Sequence, residues 1–246
     1  MQKGELAGSA PQVINMSKKN IKIEEVFEPI VNSEGEKLVQ ELYKAHPELM
    51  SRPLDIVGVG SRMYRTGEPW IQTYTGRRFT PTNPVVEAIV IDDIAHPLSM
   101  QCRFSGHVKS FYSVAQHSVL VSYICDRDDA LWGLLHDGSE AYLVDIPRPI
   151  KQSGKFDNYL EFEKIMQKAI CKRFGMSEEM PKSVKYADDA LLMTEARDLM
   201  SPLHEGWTIV GDPLPFTITP WSQQEAKSAF IKRFLELYSE KENSTE

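Results

Sequence analysis

A chain of 246 residues with 41% hydrophobic and 26% charged residues can bury a substantial core in one large domain, or in one domain with an extension. Its formal net charge of -7 and pI near 5.5 argue against a general nucleic-acid binder, which carries a basic stripe, but leave room for a small anionic substrate held by a few local cations. The longest apolar runs, VVEAIVI and ALWGLL, are far shorter than the roughly 20 residues of a membrane-spanning helix. No apolar leader is visible in MQKGELAGSAPQVINMSKKN, so a cytoplasmic protein is expected.

Residues 1–67 read as an N-terminal extension, its first 22 or so polar, lysine-rich and without periodicity, and expected to be disordered. A short helix is expected over 33–47, where Ser33 and Glu36 have capping-box spacing and Pro47 ends the pattern. The lone Gly58-Val59-Gly60 reads as a turn, because the third glycine and amphipathic helix of a dinucleotide site are missing. WIQTYTGRRFTP, 70–81, predicts a β-hairpin about Thr75-Gly76.

From residue 92 helical signals dominate. IDDIAHPLSMQCRF predicts a helix interrupted or started near Pro97, YSVAQHSVLVSYIC a second, and DDALWGLLHDGSEAYL a third that Pro147 and Pro149 forbid from continuing. FDNYLEFEKIMQKAICKRFG is amphipathic and ends at Gly175; Pro181 opens the next helix through KSVKYADDALLMTEARDLM. The last, SQQEAKSAFIKRFLELYSEK, opens with Ser222 and Glu225 as another capping box. The fold class is therefore mainly α, a helical bundle over 68–246 preceded by a small hairpin. Cys102, Cys125 and Cys171 are far apart and read as reduced, mostly buried thiols.

LLHDGSEAYLVDIPRPIK, 134–151, sets His136, Asp137, Glu140 and Asp145 in an apolar context. On one continuous helix His136, Asp137 and Glu140 would share a face within a turn, an electrostatic liability unless a cation or metal ion compensates it. His117 lies in the preceding helix and Asp188 in a later one, and imidazole nitrogen with carboxylate oxygen suits a divalent transition metal.

QHS at 116–118, HDGSE at 136–140, D-x-P-x-P-x-K at 145–151 and K-x-A-D at 185–188, taken in order, resemble the HD-domain phosphohydrolases. They are most similar to the branch holding bacterial 5'-deoxynucleotidases and phage HD hydrolases, including phage dATP triphosphohydrolases, and the resemblance covers about 68–240. It implies an HD-domain helical bundle in which His117, His136, Asp137 and Asp188 ligate one divalent transition metal ion (zinc, cobalt or manganese), with a second magnesium ion accompanying the phosphates. Asp188 is preferred because it follows Ala187 in the family's Ala-Asp pattern, whereas Asp189 points about 100° away around a helix.

The same resemblance gives Glu140 and Asp145 the catalytic roles of orienting and deprotonating water and meeting the substrate's phosphate; the structural alternative for Glu140 is to hold a histidine ring. Arg103 and Lys151 are the phosphate candidates, with Arg148 and Lys109 weaker ones and ordinary surface charge the alternative. Phe104 stands where the deoxynucleotidases often have tryptophan against the ribose 2'-position, and His107 is a candidate for the base. His96 and His204 join no motif.

The function expected is a dNTP triphosphohydrolase with a deoxynucleotide as partner and dATP as the candidate substrate; alternatives are a 5'-deoxynucleotidase and, in another class, a nucleotide-binding sensor module. A nuclease would need a basic groove, for which Arg77, Arg78 and SKKN at 17–20 are the only local material. Family resemblance also implies a homo-oligomer, with no membrane and no stable nucleic-acid partner.

Overall fold

The computed structural model describes residues 67–207 and 211–243, with isolated positions between 40 and 47. The helix expected over 33–47, the Gly58-Gly60 turn and the 17–20 lysines therefore fall outside the described residues or almost entirely so. Within them the protein is mainly helical with one small hairpin.

The hairpin pairs β1 (Ile71–Gln72) with β2 (Arg78–Phe79) antiparallel, Ile71 opposite Phe79. Its turn uses Gly76 at φ 82, a conformation that glycine adopts without strain. Two anchors dock it: Phe79 is buried and stacks on Tyr142 at 4.5 Å, and Thr75 donates from both its backbone N–H and its hydroxyl to the buried Asp93 carboxylate, each at 2.8 Å.

Asp93 belongs to α1 (Asp92–Met100), which runs straight through Pro97 rather than starting or breaking there. The ring deprives the Asp93 carbonyl of one intrahelical donor, but Ile94, Ala95 and Leu98 are fully buried on either side, and that packing outweighs the local penalty. After a tight turn at Arg103–Gly106, Ser113 caps α2 (Val114–Ile124) by accepting from the Gln116 N–H at 3.1 Å. All of α2 is buried except Tyr123, which makes it the axis of the bundle.

α3 (Ala130–Leu135) packs against α2, but the third predicted helix does not continue. His136–Ser139 form a turn whose N–H groups reach back three residues, Gly138 to Leu135 and Glu140 to Asp137, and a single helical turn, α4 (Glu140–Leu143), follows. Gly138 lies in this turn in a tight place: a Cβ there would lie 3.0 Å from the Leu135 carbonyl oxygen and 3.1 Å from the Ile170 side chain. Then come α5 (Arg148–Lys151), opened by Pro147, and α6 (Asp157–Arg173). α6 ends in a Schellman turn, with Gly175 at φ 63 and the Met176 N–H bonded to the Cys171 carbonyl at 2.8 Å.

α7 (Lys182–Leu199) and α8 (Gln223–Asn243) complete the bundle. The expected capping box at α8 is present: the Ser222 N–H donates to Glu225 Oε2 at 2.6 Å and the Glu225 N–H to Ser222 Oγ at 3.3 Å. α1, α3, α7 and α8 all pack on α2, so residues of α2, of the turn after α3 and of α7 meet at the centre. Among the described residues no helix is long and apolar enough to cross a membrane.

Candidate metal centre

The fully buried His117, on α2, and the buried His136, immediately after α3, form the heart of the site. His117 Nδ1 meets Glu195 Oε1 at 2.6 Å and His136 Nδ1 meets the Gly133 carbonyl at 2.8 Å. Both partners only accept, so each ring donates from Nδ1 and turns its Nε2 inward. Those two Nε2 atoms face each other at 3.2 Å.

Two carboxylates close on the same point. Asp137 Oδ2 lies 3.3 Å from His136 Nε2 and 3.8 Å from His117 Nε2, and Asp188 Oδ1, on α7, lies 3.3 Å from His117 Nε2. The ligand atoms of His117, His136 and Asp137 lie within 4.8 Å of one another, a cluster that could hold a metal ion. The donor types fit one: two imidazole nitrogens and a carboxylate oxygen are groups that bind a metal ion, and Asp188 lies against His117 beside that trio. The hydrogen bonds behind the rings are those that orient metal-bound histidines.

The electrostatics favour positive charge at this point. Burial and the neighbouring Arg103 press the His117 pKa down, yet Glu195 and Asp188 outweigh them and it is pushed up to about 9. Burial would raise the Asp188 and Glu195 carboxyls, but both are held below their usual range, Asp188 by His117 and Glu195 by Arg103 and His117. Arg103 is the buried counter-ion. Its guanidinium reaches Asp137 at 3.5 Å and Glu195 at 3.2 Å, and these carboxylates raise its pKa despite burial.

Glu140 lies beside this centre and behaves differently. Burial first, then the charges of Asp137 and Asp145, push its pKa well above the usual carboxylate range, against the pull of Lys151 and Arg103. One of its oxygens, Oε2, is buried without a hydrogen-bond partner; the other lies 3.5 Å from Lys151 Nζ. Lys151 also pairs with Glu163 at 2.6 Å.

The structure thus gathers His117, His136, Asp137, Asp188, Arg103, Glu140 and Lys151. Asp145 is half-buried next to them. Phe104 sits against Arg103, whose guanidinium carbon is 5.4 Å from the ring centroid. Asp189 instead pairs with Lys185 on the exposed side of α7. His107 and Lys109 are exposed and line a separate cavity of about 430 Å³ with Met200, His204 and Trp207. Arg148 is exposed, His96 stacks on Tyr74 at 3.7 Å, and Arg77 is buried beneath the hairpin and adds nothing to a basic surface.

Sequence reasoning missed Glu195, although it lies seven residues, two helical turns, after Asp188 and so on the same face of α7. It also missed Gln101 and Tyr159, which hold backbone carbonyls and an amide next to the site and leave no motif.

No family model matches the chain. It is 38% identical over 171 residues to the uncharacterized protein YfdR of Escherichia coli (strain K12), a match covering 68% of this chain and 95% of that protein. The chain belongs to the YfdR family. A further relative, the uncharacterized protein RCAP_rcc00048 of Rhodobacter capsulatus, is 34% identical over 138 residues, which is 52% of this chain and 69% of that protein. The names in the YfdR family carry no activity, so function has to be argued from the centre itself.

Proposed function

We propose that the chain is a metal-dependent phosphohydrolase of the HD type that acts on deoxynucleotides, releasing triphosphate from a deoxynucleoside triphosphate. The observation that carries the hydrolase reading is the pair of inward-facing imidazole nitrogens 3.2 Å apart, ringed by Asp137 and Asp188 and flanked by a Glu140 oxygen with no partner. Zinc, cobalt and manganese all suit these donors. When bound, such an ion supplies the positive charge that acidifies a nearby water and draws phosphate oxygens to it.

The chain's own residues supply the remainder. Glu140, its proton affinity raised by burial and by Asp137 and Asp145, is suited to accept the proton of a water attacking phosphorus. Lys151 stands beside it as a cation for the phosphate oxygens. Arg103 anchors Asp137 and Glu195 first, so its part in phosphate binding is through the hydrogen atoms left over, including the unpartnered Nε–H. The substrate class rests on the resemblance of the ordered motifs to the deoxynucleotidases and phage triphosphohydrolases, with dATP the first nucleotide to try.

The test is an anaerobic assay of the pure protein with each metal in turn against deoxy- and ribonucleoside mono- and triphosphates, products separated by chromatography. Expected is one deoxynucleoside plus triphosphate, lost in Glu140→Gln at unchanged metal content. Activity confined to monophosphates would make the protein a 5'-deoxynucleotidase. Silence with every metal would sink the hydrolase reading.

A further inference from the structure

Between Glu140 and Asp145 the backbone takes a conformation that its sequence does not favour. Val144 stands at φ 70 and ψ 146, and its side chain is 59% exposed, so burial does not hold it there. A β-branched residue at positive φ is a genuine outlier and persists only where its surroundings over-determine it.

Two side chains do so from opposite sides. Gln101, just after α1, donates from Nε2 to the Glu140 carbonyl at 2.9 Å and accepts the Asp145 N–H on Oε1 at 3.1 Å. Its carboxamide therefore brackets the turn at both ends, and the two partners fix which end is oxygen. Tyr159, on α6, donates its hydroxyl to the Val144 carbonyl at 2.5 Å and lies 3.3 Å from the Leu143 carbonyl. Gln101 is itself fixed through its backbone, its N–H on the Pro97 carbonyl and its carbonyl accepting from the Val114 N–H, each at 3.1 Å. It lies two residues before Arg103, so one short segment holds the arginine of the metal centre and the Glu140–Asp145 turn in register.

We infer that Gln101 is a positioning residue, holding the strained Val144 turn so that Asp145 stays beside Glu140 at the mouth of the metal centre. Neither Gln101 nor Tyr159 belongs to the cluster of ligand atoms; Gln101 acts through backbone groups, and Tyr159 also lays its ring 5.8 Å from Lys151 Nζ. The consequence for turnover rests on the hydrolase reading, whereas the bracket itself is a property of the fold.

The test uses the full chain and two variants, Gln101→Met, which keeps the length of the side chain and removes both hydrogen bonds, and Gln101→Met with Val144→Gly. Hydrogen exchange of the Asp145 amide reads the bracket whether or not the protein turns over. In Gln101→Met it is expected to quicken by about tenfold or more, as for an amide released from a local bond. Metal content should match wild type, and kcat should fall by roughly 10- to 100-fold with KM changed by less than about threefold, the mark of misplaced catalytic groups.

Val144→Gly in that background should restore kcat by at least about threefold, because glycine enters positive φ without a clamp. A merely structural role for Gln101 predicts no such rescue. Unchanged exchange at Asp145 would overturn the inference, as would wild-type kcat in Gln101→Met or a double variant no better than the single. Should the wild-type chain hydrolyse nothing, the function falls alone and the exchange result still decides the bracket.

Discussion

Replacing Glu195 by glutamine keeps the shape and removes one charge from a fully buried position. Two things change. The Nδ1–H of His117 loses the carboxylate it meets at 2.6 Å, and Arg103 keeps only Asp137, at 3.5 Å, as its ion-pair partner. Loss of a carboxylate behind a metal-bound histidine weakens metal binding about 10- to 100-fold, or roughly 1.4–2.7 kcal/mol. Breaking a buried pair from one side destabilises by about 3–5 kcal/mol, which for a chain of this size lowers Tm by on the order of 10 °C. The assays are chelator-competition titration of the metal and thermal unfolding of metal-free protein. The Glu195 carboxyl is held below its unfolded value, so its contribution is present above that value and is lost as pH falls through the folded one. The Tm gap between wild type and Glu195→Gln must therefore narrow in acid. Equal metal affinity together with equal Tm at neutral pH would refute the reasoning.

With the His117 pKa near 9 in the metal-free protein, metal binding at pH 7 must displace about one proton, and the apparent affinity should rise about tenfold per pH unit between 6 and 8; a pH-independent affinity in calorimetric titration would argue against imidazole ligation. Asp137→Ala is expected to abolish both metal content, measured by elemental analysis, and activity, and retained activity would remove Asp137 from the ligand set. Lys151→Ala takes away a positive charge that lowers the Glu140 pKa, so the acidic limb of the pH–rate profile should move to higher pH and KM should rise at unchanged metal content. Gly138→Ala forces a Cβ to 3.0 Å from the Leu135 oxygen and should cost about 1–3 kcal/mol, seen as a Tm lower by several degrees without any change in the ligand side chains.

The helices of the bundle were legible because their signals are local. Ser222 and Glu225 form the box that their spacing announces, and Gly175 closes α6 as its position after the last periodic residue implies. The break at 136–139 was not legible in the same way: the close quarters at Gly138 involve Ile170, and no window around residue 138 contains residue 170. Pro97 misled in the same way, since a local rule lost to core packing of Ile94 and Leu98. At the site, the residue types that chemistry demands stood out in sequence, and preferring Asp188 to Asp189 drew on the Ala-Asp pattern of the resembled family; Asp188 lies 3.3 Å from His117 Nε2 while Asp189 pairs with Lys185. Glu195 did not stand out, because its role depends on which way the His117 ring is turned, and that is a fact of tertiary structure.

A proton can occupy the centre of the cluster, but it cannot satisfy it. If His117 carries a hydrogen on Nε2, that hydrogen points in one direction, while His136 Nε2, Asp188 Oδ1 and Asp137 Oδ2 lie at 3.2, 3.3 and 3.8 Å in others. Arg103 pairs with Asp137 and Glu195 from their outer side and does not reach into the cluster between the rings. Under the proposed metal reading, a divalent ion would be held by both imidazoles and both aspartates and would bring a second positive charge. The loaded fold should then be more stable than the metal-free one by a margin that grows with the logarithm of free metal above its Kd. The proposed ligands come from α2, from the turn after α3 and from α7, so this stabilisation would tie together three segments far apart in sequence. Metal should accordingly raise the cooperativity of unfolding as well as its temperature.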